Sequence, residues 1–242
     1  MPYRLALLLC VPIFYFSFVV KSWAQEPSYK FTTGWYSTQG ANQASSHGLD
    51  LNLRRSTDNS NAWVAGYRSP DQHLLQPRMG WDSSVPFSMV RIQPSLQAAS
   101  GGFVGGSLSM EMGEHGFVGA GLGRTNLRPY TNLNFDPNDA WMASAGWRWN
   151  ENHSLSMQVV RDNRQNPDQQ HVHAIYRFPI HANERITLDL LQKSGLVQDL
   201  YTRRYGLSVG YDISHYFMHV SYDPIINFTP QTMWRLSAGI RF

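Results

Sequence analysis

Residues 233–242, MWRLSAGIRF, place Trp234, Leu236, Ala238, Ile240 and Phe242 on one face of an extended chain and Arg235, Ser237, Gly239 and Arg241 on the other. Strand side chains alternate between two faces, so this stretch reads as a β-strand with one apolar and one polar side. The same parity recurs upstream. Tyr216, Met218, Val220 and Tyr222 alternate with Phe217, His219, Ser221 and Asp223, and Tyr205, Leu207, Val209 and Tyr211 with Gly206, Ser208, Gly210 and Asp212. Far from the end, Leu49, Leu51 and Leu53 alternate with Asp50, Asn52 and Arg54.

Composition narrows the class. Charged residues make up 15% of the 242 positions, against about 25% in an ordinary soluble domain. The 13% aromatic content argues against a disordered chain. Residues 1–24 read as a cleavable secretory signal: Arg4, an apolar stretch from Leu5 to Val20, then Ser22-Trp23-Ala24 as a small-x-small cleavage site. An uncleaved anchor is the competing reading of that segment. Residues 25–242 then form one domain. Cys10, the only cysteine, falls in the signal, which leaves no disulfide and no cysteine metal site in the remainder. Without Arg4 and Lys21 the balance is 18 basic to 17 acidic residues, so the basic isoelectric point is no argument for nucleic acid. Beyond residue 24 no apolar run reaches the roughly 18 residues that a membrane helix requires.

A soluble sandwich would also alternate, but three features favour a membrane barrel. Aromatics gather near strand ends, as in Trp63 and Tyr67, Trp141 and Trp149, or Trp234 and Phe242, the pattern of interfacial girdles. Charges are nearly absent from the apolar face. Connections alternate between short (114–116, 150–153, Ser214) and long (39–48, 128–138, 195–202).

On these residues the chain resembles the bacterial outer-membrane β-barrel proteins as a class. The resemblance implies an all-β fold, a closed antiparallel transmembrane β-barrel in the outer membrane. It implies further that the closing strand with Phe242 is the signal read by the barrel-assembly machinery, and that outer-membrane lipids including lipopolysaccharide surround the wall. The strands predicted are 29–37, 48–56, 61–69, 73–83, 88–98, 103–113, 116–127, 139–150, 153–163, 169–179, 184–194, 203–213, 215–223 and 233–242, about 14 in all. Pro77 and Pro94 weaken two of them and leave 12 as the alternative. An even count puts both termini on the periplasmic side.

Function must come from the lumen face, because the lipid face is generic. Parity directs Arg54, Arg68, Arg78, Arg91, Arg148, Arg177 and Arg235 inward, with Asp82, Glu111, Asp189 and Asp212. The cationic excess suggests a small porin-like channel for polar or mildly anionic solutes, while an ion-pair network filling a structural barrel is the competing account. An enzyme is the reading from another class. His219, Ser221 and Asp223 share a face at i, i+2 and i+4, and a His-x-Ser on one strand is similar to that of outer-membrane lipid hydrolases, although Tyr222 stands where those enzymes have Asn. Surface adhesion through 39–48, 128–138 and 195–202 is a third possibility. Gly119-Ala120-Gly121-Leu122-Gly123 lacks the helix that a nucleotide loop needs, so no cofactor is expected. His171 and His173 share a face, but the sequence places no further ligand beside them, so no metal is expected either. The acidic run Asp136 to Asp139 reads as turn chemistry.

Overall fold

In the computed structural model the described residues are 28–242 except 41–42 and 135; the signal segment with Cys10 lies outside them. The period-2 stretches become strands β1 (Ser28–Gly40), β2 (Gln43–Ser56), β3 (Ser60–Ser69), β4 (Leu74–Ser83), β5 (Val85–Phe87), β6 (Val90–Ala99), β7 (Phe103–Met112) and β8 (Gly116–Thr125). They continue as β9 (Ala140–Asn150), β10 (His153–Asp162), β11 (Gln170–His181), β12 (Glu184–Val197), β13 (Leu200–Ile213), β14 (Tyr216–Asp223) and β15 (Gln231–Arg241). Each pairs antiparallel with its neighbours, and β1 against β15 closes the barrel. Tyr29 and Phe242 exchange backbone hydrogen bonds of 2.6 and 2.9 Å at that seam.

The fifteen segments make 14 staves, because β4 and β5 are one stave. Asp82 opposes Ser95 and Val85 opposes Ile92, a single register against β6 across the gap. That register sets Pro94 opposite Ser83, and a proline has no N–H to give the ladder. Pro77 lies just beyond the other end of the same five-residue ladder, Arg78–Asp82 with Ser95–Ala99. The two prolines therefore shorten one seam without removing a strand, and the 12-strand alternative falls away.

The outside is apolar where lipid requires it. Leu51, Val64, Met79, Leu108, Met157 and Leu190 are each more than half exposed. Tyr222 stacks near Trp234 at one rim and Tyr29 on Phe242 at the other. In lipid every backbone polar group must be paired within the protein, which a closed sheet with an apolar belt achieves. The location is the bacterial outer membrane.

Three expectations change. Trp63 and Tyr67 face the lumen rather than the lipid: the Trp63 ring lies over Gly80 and the Tyr67 ring over Gly48, where a side chain would collide with them. Arg68, one residue on, therefore points outward, paired with the exposed Leu49 near the extracellular rim. The long connections at 39–48 and 195–202 are mostly strand. β12 and β13 meet across a two-residue turn, Gln198 and Asp199, both at positive φ, the geometry that matches strand twist in a hairpin. Of these three connections, 126–139 is a long loop among the described residues, and it turns into the barrel.

Candidate functional site

Loop 126–139 crosses the lumen and is fixed at both walls. On one side the Gln76 amide donates to the Thr131 carbonyl and accepts from the Thr131 N–H, both at 2.9 Å. Beside it Leu133 is buried among Tyr36, Tyr67, Ile226 and Met233, and Tyr130 stacks on Phe103 at 4.1 Å. On the other side the Asp136 carboxylate meets His171 Nδ1 at 2.8 Å and His173 Nε2 at 3.0 Å, both on β11. Burial pushes the Asp136 carboxyl up, but the two imidazoles outweigh it and hold it below the ordinary carboxylate range. The loop therefore does not project outward as an adhesive surface would.

Behind the histidines, Lys193 and Asp223 form a buried pair at 2.7 Å, with both residues no more than 1% exposed. Turn 224–230 covers them: Lys193 also donates to the Ile225 carbonyl at 3.4 Å, and Ile225 and Phe228 pack against Val197. Lys193 escaped the sequence reading, although extending the parity of Thr187, Asp189 and Leu191 by one step would have placed it inside.

This pair decides against the hydrolase. Ser221 and His219 stand 3.4 Å apart, but Asp223 is held by Lys193 and does not orient the imidazole. Ser221 is fully buried and faces the lumen, out of reach of a lipid at the outer wall.

Below the loop lies a chamber of about 460 Å³ lined by Lys30, Arg54, Arg78, Arg177, Arg185, Arg235 and Arg241, with only two carboxylates, Asp50 and Asp212. Arg78 pairs with Asp50 at 2.7 Å, and Arg185 and Arg241 converge on Asp212. The Arg177 Nε is buried without a hydrogen-bond partner among the described residues. Leu133 and Asn134 of the loop line the same chamber. On the facing wall Glu111 holds Arg148 at 2.6 Å and Arg91 at 3.8 Å, so Arg148 is an ion-pair partner there. Asp82 accepts from Asn61 at 2.6 Å and lies 4.0 Å from Arg54. Asp189 bonds His173. Of the sequence-derived lumen residues, Arg68 alone sits on the outer face.

At the extracellular rim Asp139 accepts from the Thr125 hydroxyl at 2.6 Å, from Arg164 at 3.1 Å and from Gln165 at 3.3 Å. Burial pushes its carboxyl up, and these donors outweigh that and hold it below its usual value.

The shape of the barrel has solved counterparts. The chain is similar to Acinetobacter baumannii outer membrane protein Omp33, with 12% identity and a TM-score of 0.51 over 89% of this chain and 99% of that one. Salmonella typhi OmpF, solved with daunomycin, matches at 8% identity and TM-score 0.50 over 90% and 97%. No protein-family model matches the sequence, and no curated protein does. The architecture is that of a porin-like outer-membrane β-barrel.

Proposed function

We propose that the barrel is a narrow channel for small polar solutes that favours anions. The observation that carries this reading is the chamber below the loop, where seven cationic side chains meet two carboxylates. A charge excess in a cleft with low-dielectric walls raises the local concentration of oppositely charged solutes. The crossing loop limits the solute to small size, because Leu133 and Asn134 form part of the chamber's lining.

The test is conductance in planar bilayers under a salt gradient. The wild-type protein should conduct with a reversal potential on the anion side. Arg177→Glu and Arg235→Glu together should move that potential toward cations, since both side chains line the chamber. A silent bilayer, or a reversal potential indifferent to both changes, would remove the channel reading.

A further inference from the structure

We propose that Asp136, His171 and His173 form a binding site for a divalent transition-metal ion of the zinc class, which locks loop 126–139 to the barrel wall. One donor atom from each of the three residues lies within 4.8 Å of the other two, and the Asp136 Oδ1 meets the His171 Nδ1 and the His173 Nε2 directly. Around zinc, with bonds near 2.0–2.1 Å, tetrahedral ligand atoms sit roughly 3.3 Å apart. The observed nitrogen–oxygen separations of 2.8 and 3.0 Å thus need to open by only a few tenths of an ångström. Two imidazoles and one carboxylate suit a borderline cation and leave a fourth position for water.

The surroundings supply what a ligand set needs beyond its first contacts. His173 presents Nε2 to the site while its Nδ1 bonds the Asp189 carboxylate at 3.0 Å, so the second nitrogen is oriented as in carboxylate–histidine–metal triads. His171, only 1% exposed, turns its Nδ1 to the same Asp136 oxygen, so both imidazoles meet one carboxylate in a site screened from bulk water. Access exists from both sides: Asp136 borders a cavity of about 320 Å³ and His171 one of about 410 Å³. The site stands whether or not the barrel conducts.

Zinc chloride titrated by calorimetry into the full-length, chelator-stripped barrel in detergent tests this. The wild type should bind one saturable equivalent, and cobalt(II) in its place should show the visible absorption of a four-coordinate ion. Asp136→Asn and the His171→Ala/His173→Ala pair should abolish that equivalent, and Asp189→Asn should weaken it roughly 10- to 100-fold. Heat-modifiable gel mobility reports whether each variant is folded. Asp136→Asn alters only a loop residue, so its titration decides the matter if the histidine variants fail to assemble. Absence of saturable binding in the wild type, or zinc binding undiminished in folded Asp136→Asn, would overturn the site.

Discussion

Above the crossing loop, lumen charge is matched and covered; below it, charge is in excess and faces a cavity. Lys193 and Asp223 pair under turn 224–230 with almost no exposure. The chamber below holds seven cations against Asp50 and Asp212, which Arg78, Arg185 and Arg241 engage, while Arg54 lies 4.0 Å from Asp82. Taking charges out of water is tolerable only when each meets its partner, so the upper set is part of the wall's structure. Seven cations against two carboxylates leave the chamber with a net positive field that water can solvate. One parity pattern in the sequence thus serves two physical ends, and the loop is the divider.

The largest expected effect tests the upper half. Lys193→Ala would strand the Asp223 carboxylate in a buried site and should lower stability by about 3–5 kcal/mol. Arg54→Ala, in the chamber and 39% exposed, should stay within about 0.5 kcal/mol. Urea unfolding of the refolded barrel in detergent measures both. Similar losses would erase the distinction between covered and solvent-facing charge.

A second comparison uses two successive rungs between β12 and β13. Leu188 opposes Val209 on the lipid face, while Thr187 opposes Gly210 on the chamber side. Leu188→Arg should cost roughly 2–4 kcal/mol if the rung is near the midplane, and Thr187→Arg, entering the chamber beside water, distinctly less. Equal damage in the same unfolding assay would show that the wall has been read inside out.

Most of this wall was legible because a strand's period is 2 and lipid enforces it on one face. The failure at Arg68 shows the limit. Trp63 and Tyr67 looked like girdle residues, but Gly48 and Gly80 open room for their rings inside, and an aromatic against a cross-strand glycine leaves no local signature. The same holds for Pro94, whose effect depends on Ser83 standing opposite. The loop was least legible. Leu133 docks among Tyr36, Tyr67, Ile226 and Met233, partners scattered along the whole chain, and Asp136 becomes a partner for His171 and His173 only once that docking has occurred. The histidine pair was visible in the sequence; the carboxylate that completes it was not.

The smallest expected effect lies at the rim, where Asp139 joins the end of the loop to Thr125, Arg164 and Gln165. With Arg164 39% exposed, that ion pair is worth at most about 1 kcal/mol. The sign of its pH dependence follows from the lowered carboxyl. The folded state binds the Asp139 proton less readily than the unfolded chain does, so its contribution is present above the ordinary value of 3.8 and is lost as the pH falls through the lower folded value. Wild type should therefore exceed Asp139→Asn in unfolding free energy by a constant margin from neutral pH down to near 3.8, and the margin should shrink below it. A margin that already shrank above 3.8 would mean that burial, rather than the donors at the rim, governs the carboxyl, and that the rim belongs with neither half of the lumen.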